Sequence, residues 1–139
     1  MTYTPVQFSK EHNTEFYKAL KSRVNAYFKD NNISKTANAA MVFKTFALLA
    51  LFLTPYGFLY QQELPMLAYY GLWVIMGFGM AGVGLSVMHD ANHGAYSINA
   101  TVNNILGYTL AILGAGVFNW KIQHNVLHHN HTNISGVDE

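Results

Sequence analysis

The sequence has no cysteine and few charges, and both shortages exclude classes of function. Without a thiol the chain forms no disulfide, builds no thiolate metal site and has no thiol nucleophile. Charged residues make up 11% of the 139 residues, against roughly 25% in an average soluble domain. The net charge of +1 gives no reason to expect nucleic acid as a partner. The first apolar run begins near Ala40, too far from Met1 for a signal peptide.

Two long apolar runs follow a polar start. Residues 40–60 and 66–88 each contain about 20 apolar-dominated positions, enough to cross a bilayer core of ~30 Å as a helix. The second run carries no charge, and its four glycines are expected to allow close helix packing: Gly77, Gly79, Gly82 and Gly84. We therefore predict an all-α integral membrane protein built on a two-span transmembrane hairpin.

Residues 1–39 form a polar, basic leader. Apolar side chains recur in it at helical spacing, including Phe16, Leu20 and Val24, and lysines and an arginine occupy much of the other surface. Such a helix either packs on its own protein or lies at a membrane surface with its cations near anionic headgroups. We favour the interfacial helix, and divide the chain into this cytoplasmic leader (1–39) and a membrane domain (40–139).

The distribution of cations predicts the orientation. All but one of the eight Lys and Arg residues lie at or before Lys44, so the N-terminus is expected in the cytoplasm and the chain returns there near His89. The next apolar segment, Ile105 to Phe118, reaches only about 21 Å as a helix, short of a bilayer core. We interpret it as a re-entrant or interfacial helix, which keeps the later histidine-bearing helices cytoplasmic.

All but one of the seven histidines lie within positions 89–131. His89 and His93 are spaced i, i+4, as are His124 and His128; His129 lies about 100° further round an α-helix, and His131 is i+3 from His128. One such pair arises by chance, but five or six histidines in two groups predict a metal site. Imidazole suits zinc, copper, iron and nickel, and a single zinc needs only three or four ligands.

The surplus of ligands indicates two metal ions. Soluble di-iron bundles use glutamates with Glu-x-x-His pairs, whereas Asp90 is the only acid between Leu64 and Val137. The remaining candidate is a dinuclear iron centre whose ligands are almost all histidines.

The sequences HDANH at 89–93 and HNVLHH at 124–129 resemble the first two histidine boxes of the membrane fatty acid desaturases, and WKIQHNVLHHNHTNISGVDE is similar to the acyl-lipid and acyl-CoA enzymes that include the front-end type. The resemblance implies a di-iron oxygenase that uses O2 and electrons from an external ferredoxin or cytochrome b5 type donor to form a cis double bond in an acyl chain. It also implies that the iron ligands are His89, His93, His124, His128 and His129. Asp90 is the candidate for a carboxylate that hydrogen-bonds to a ligating histidine.

The third histidine box of that family is absent, so we expect the chain to be truncated, to hold iron poorly by itself and to be inactive. His131 departs from the family pattern and is either an extra ligand or a surface residue. An acyl hydroxylase shares the same chemistry, and HDANH also resembles the HExxH motif of zinc metalloproteases. A haem-binding or metal-transporting membrane protein is a non-enzymatic alternative. We expect a multi-pass protein of a bacterial cytoplasmic membrane.

Overall fold

The computed structural model describes residues 14–61 and 63–138, which form helices and no strand. The all-α fold class is confirmed, as are two helices long and apolar enough to span a membrane. The helices up to and including the one that carries His89 are α1 (Thr14–Asp30), α2 (Ala39–Phe58), α3 (Met66–Gly82) and α4 (His89–Asn92). The later helices are α5 (Ala100–Gly107), α6 (Thr109–Ile112), α7 (Val117–Trp120) and α8 (His129–His131). Two π-helical segments, Val83–Met88 and Lys121–His128, lead into α4 and α8.

The helix α2 corresponds to the predicted first span. It begins after Asn38, whose side-chain oxygen accepts a hydrogen bond from the backbone N–H of Met41 at 2.9 Å and so caps the helix. Pro55 lies in its last turn, and the helix ends at Phe58. A capped polar start followed by a run dominated by apolar residues explains why this helix was predicted almost to the residue.

The second span is longer than the predicted 66–88. The helix continues from Met66 to Asn92 through the first π-helical segment, so His89 lies in the last turn of the span and His93 directly follows it. Val83 and Val87 in the π-helical segment are the most deeply buried large side chains of the described residues. The segment before His89 is thus held firmly by packing.

Glycines let the two spans approach closely, as predicted, but only two of the four do so. A Cβ added to Gly79 would lie 2.5 Å from the backbone nitrogen of Phe52 on α2, and one added to Gly82 would collide with the side chain of Leu48. Gly77 faces open space, and Gly84 has only an ordinary contact at 3.7 Å. The contact surface between α2 and α3 therefore runs through Gly79 and Gly82.

The predicted short apolar helix from 105 to 118 is divided. Its first part belongs to α5 and α6, the chain turns at Gly114, which has φ of +89°, and the next helical arm is bent by 108° from the first. Glycine adopts this backbone conformation without steric cost, which explains the break. A bent pair of helices of this kind is either a broken span or a re-entrant loop, so the re-entrant interpretation stays a prediction.

The helix α1 lies within the predicted leader, of which residues 1–13 are outside the described part. It has no buried residue, and its apolar side chains are largely exposed, with Phe16 at 68%, Leu20 at 47% and Tyr27 at 59%. The described part of the chain therefore does not cover this apolar face.

The glycine contact predicts the effect of a substitution. In Gly79→Ala the new methyl group meets the backbone of Phe52, so the spans must separate, and we expect a loss of about 1–3 kcal/mol in the free energy of unfolding. Gly77→Ala is the matched control, because it faces open space in the same helix. Unfolding in mixed micelles, followed by circular dichroism, measures both variants. Equal stability of the two would contradict the close approach.

Candidate metal centre

The first histidine group, His89 and His93, lies at the end of the second span, with His89 in its last turn and His93 as the residue after it. The spacing i, i+4 places both imidazoles on one face of the helix end, and their ring centroids lie 4.5 Å apart. The carboxylate of Asp90 lies 3.3 Å from Nδ1 of His89. This contact is the one expected of a carboxylate that orients a ligating histidine; the role itself stays a prediction.

The second histidine group, His124, His128 and His129, is arranged by π-helical backbone. In an α-helix, at about 100° per residue, His129 would lie far round from His124. The wider turn of a π-helix, with i→i+5 hydrogen bonds, rotates each residue by less and brings position i+5 back towards the face of position i. The observed result is that Nε2 of His129 lies 3.3 Å from Nε2 of His124. The ring of His128 stacks on that of His124 with centroids 5.2 Å apart.

The two histidine groups converge. Nε2 of His89 lies 3.1 Å from Nε2 of His124, and the ring of His93 lies 5.1 Å and 4.8 Å from the rings of His124 and His129. One nitrogen each from His89, His93 and His124 lies within 4.8 Å of the others, a spacing suited to a metal ion. The bent segment therefore returns the chain to the same end of the spans, which the prediction of a shared site required.

The state of His93 suits metal binding. Its Nε2 is buried and has no hydrogen-bond partner among the described residues, although a buried ring nitrogen normally has one. Burial, and then the neighbouring imidazoles of His89 and His129, lower the pKa of His93. A lowered pKa keeps the ring neutral at pH 7, and only a neutral imidazole has the lone pair that binds a metal. The donor set therefore fits a metal that prefers imidazole.

Trp120 closes one side of the cluster. Its indole stacks on the ring of His124 with centroids 4.4 Å apart, and it contacts the rings of His89 and His93 edge-on at 5.8 Å and 5.7 Å. It therefore touches both histidine groups. The sequence pattern singled out no role for it, because a tryptophan in an apolar stretch has no distinguishing signal.

Asp138 was missed by the sequence analysis. Its carboxylate lies 2.9 Å from Nδ1 of His128 and accepts a hydrogen bond from the backbone N–H of Asn133 at 2.8 Å. Those two hydrogen bonds, the backbone one first, lower the pKa of Asp138. An ionised carboxylate only accepts hydrogen bonds, so Nδ1 of His128 is the donor in this contact. Asp138 lies one residue beyond the interval from Leu64 to Val137 in which Asp90 is the only acid.

The structure thus gathers four of the predicted ligands, His89, His93, His124 and His129, around shared contacts. His128 contacts the rings of its own group but turns Nδ1 towards Asp138. His131 is the last residue of α8 and is outside the set His89, His93 and His124 that is suited to a metal. The complete ligand set stays a prediction.

The fold and the site define a class: an all-α membrane protein with a histidine cluster at the end of its spans. The model of the family described as fatty acid desaturase matches residues 65–139. The chain therefore belongs to the fatty acid desaturase family.

Curated relatives agree with this assignment. The chain is 38% identical to an sn-1 linoleoyl-lipid 6-desaturase of Arthrospira platensis, over 99% of this chain and 37% of the relative. It is 34% identical to an acyl-lipid (8-3)-desaturase of Physcomitrium patens, over 96% of this chain and 28% of the relative. The chain thus spans about a third of the length of these relatives. No solved structure matches it.

The contact of Asp138 predicts a local change on its removal. In Asp138→Ala the backbone N–H of Asn133 loses a charged acceptor worth about 1.5–3 kcal/mol, so its hydrogen exchange should accelerate about tenfold or more. In the wild type the pKa of Asp138 is lowered, so its carboxylate stays ionised below the pH at which an ordinary aspartate is protonated. Protection of the Asn133 N–H should therefore persist below that pH and be lost only as the pH falls through the lowered pKa. Exchange at Asn133, measured by NMR, tests both statements.

Asp30→Ala removes a carboxylate at the exposed end of α1 and serves as the control. Unchanged exchange in Asp138→Ala, or acceleration in both variants, would contradict the contact.

Proposed function

We propose that the complete protein is a fatty acid desaturase, which introduces a cis double bond into an acyl chain at a histidine-ligated, non-haem di-iron centre. The observation that carries the proposal is the convergence of the two histidine groups at one end of the membrane spans. Family membership and the two matching histidine boxes support it.

The roles of the residues follow from their contacts. His89, His93, His124, His128 and His129 would hold the iron ions through ring nitrogens, the first three being the set spaced for a metal ion, and Asp90 would orient His89. When bound, the iron supplies the activation of O2 that no side chain provides. Forming one double bond with reduction of O2 to two waters consumes two electrons and two protons beyond the two substrate hydrogens. An external ferredoxin or cytochrome b5 type donor delivers those electrons.

The substrate is an acyl group carried on a membrane lipid. The relatives from Arthrospira platensis and Physcomitrium patens are named for linoleoyl-lipid and acyl-lipid substrates. The histidine cluster lies directly at the end of the spans, where an acyl chain can reach it from the bilayer. An acyl-CoA is the other carrier that this family resemblance allows.

Expression of the complete reading frame in a host with simple lipids tests the function. We expect a new unsaturated fatty acid in the lipid profile, and its disappearance in His93→Ala, because that variant removes a ring at the centre of the cluster. His12→Ala is the control, since this seventh histidine lies outside both groups and outside the described residues.

Two results would contradict the proposal. An unchanged fatty acid profile with the protein present would exclude the activity in that host, and a hydroxylated fatty acid would indicate the hydroxylase. Metal analysis of the same purified protein gives an independent answer: two irons per chain agree with the proposed centre, whereas one zinc indicates a hydrolase.

We also propose that α1 lies on the cytoplasmic membrane surface, in a multi-pass protein whose histidine groups face the cytoplasm. The exposed apolar side chains of Phe16, Leu20 and Tyr27 share one face of α1, and Lys21 and Arg23 flank it. Each cation near an anionic surface contributes about 1 kcal/mol. Eight residues separate α1 from α2, so the helix is tethered close to the bilayer.

Spin labels on single cysteines test this position, and the cysteine-free chain makes them simple to introduce. In vesicles with anionic lipid we expect a label at Leu20→Cys to be accessible to oxygen but shielded from a water-soluble nickel chelate. A label at Ser22→Cys, on the opposite face, should show the reverse. Shielding of the Leu20→Cys label from both reagents would mean that α1 packs on protein instead.

A further inference from the structure

A side-chain amide joins the two histidine groups through the backbone. Nδ2 of Asn125 donates a hydrogen bond to the backbone carbonyl of Asn92 at 3.0 Å. Asn125 directly follows His124, and Asn92 directly precedes His93. The bond therefore connects two positions, each one residue away from a ring of the cluster.

The acceptor is a carbonyl that a helix leaves unpaired. Asn92 is the last residue of α4, and the final carbonyls of a helix have no partner within it. The carbonyls of His89, Asp90 and Ala91 accept from the backbone N–H groups of the turn that follows. The carbonyl of Asn92 accepts from Asn125, so the helical segment that carries the second histidine group supplies the C-terminal cap of the helix that carries the first.

The side chain of Asn92 extends the connection to a third segment. It is only 7% exposed, and its Nδ2 donates to the backbone carbonyl of Gly107 at the end of α5 at 3.3 Å. A Cβ added to Gly107 would collide with Oδ1 of Asn92, so the glycine is needed for the approach. One asparagine thus contacts both the preceding half of the bent segment and the histidine helix beyond it.

We propose that Asn125 is a positioning residue, which sets the register of the two histidine groups by capping α4 at the carbonyl of Asn92. The hydrogen bond from Asn92 to Gly107 holds this acceptor residue in place. The rings of His93 and His124, which flank this bond, lie 5.1 Å apart. The register itself does not depend on a bound metal; only its consequence for iron binding rests on the proposed function. Asn125 touches neither substrate nor iron in this role.

Fluorescence of Trp120 reports the register without any metal. The sequence has two tryptophans, so Trp73→Phe leaves Trp120 as the only one, in contact with rings of both groups. In this background Asn125→Asp keeps the shape of the side chain but turns a carboxylate towards the carbonyl of Asn92. We expect the groups to move apart, with a red-shifted emission and at least a twofold larger acrylamide quenching constant.

The acrylamide quenching of Trp120 in two variants distinguishes a hydrogen-bonding role of Asn125 from a packing role. Asn125→Ala leaves the carbonyl without a donor but adds no repulsion, so we expect quenching between that of the wild type and that of Asn125→Asp. A packing role predicts the reverse order, because alanine removes volume and aspartate does not. If circular dichroism shows that Asn125→Asp does not fold, the comparison of Trp120 quenching between Asn125→Ala and the wild type tests the proposal.

Asn130→Asp is the matched control. Nδ2 of Asn130 donates to the carbonyl of Val126 at 2.7 Å within its own helix, so this variant loses a local bond and no bond between the groups. We expect Trp120 to be unchanged in it. Equal Trp120 emission in Asn125→Asp and the wild type, or a larger effect of Asn125→Ala than of Asn125→Asp, would overturn the proposal.

Cobalt(II) uptake by the complete protein in detergent then tests the consequence. We expect the d–d absorption of bound Co²⁺ to fall at least tenfold in Asn125→Asp and to persist in Asn130→Asp. If Trp120 responds as predicted but the wild type binds no Co²⁺, the register stands and the proposed metal centre fails. If the wild type and Asn125→Asp bind Co²⁺ equally, the positioning role is overturned while the centre stands.

Discussion

The contact between His89 and His124 is the interaction on which the rest of this structure depends. Their Nε2 atoms lie 3.1 Å apart although 35 positions separate them. Polar rings of this kind are costly in hydrocarbon, so both are expected at the end of the spans, where the helices leave the hydrocarbon. The chain therefore has to leave the second span, bend and return to the same end. The 108° bend between the helical arms meets that requirement.

Close backbone approach makes this return possible. Gly79 lets the two spans meet, Gly107 lets α5 reach Asn92, and Gly114 lets the chain turn with φ of +89°. In a membrane, where lipid is as apolar as leucine, such small residues and hydrogen bonds between helices supply much of the specificity of packing. The hydrogen bond from Asn125 to the carbonyl of Asn92 adds specificity to these contacts, because this donor and this acceptor meet in only one register of the two segments.

Much of this arrangement could be predicted because it is local. The apolar length of the spans, the helical spacing of His89 and His93, and the resemblance of the two boxes are all written in neighbouring residues. The extended second span and the position of His129 could not be predicted in this way. Both depend on π-helical backbone, whose i→i+5 hydrogen bonds have no distinctive composition in the sequence. Asp138 was missed because its partner His128 lies in another element.

The sequence by itself determined the class of molecule: a membrane-embedded helical protein with histidines in two groups and almost no acid beside them. Only the tertiary structure decided that the two groups meet, which rings face one another, and that Asn125 and Asp138 support them. The physical reason is one of range. Hydrophobicity and helical period act over a few residues, whereas convergence depends on bend angles and close contacts between segments far apart in the chain.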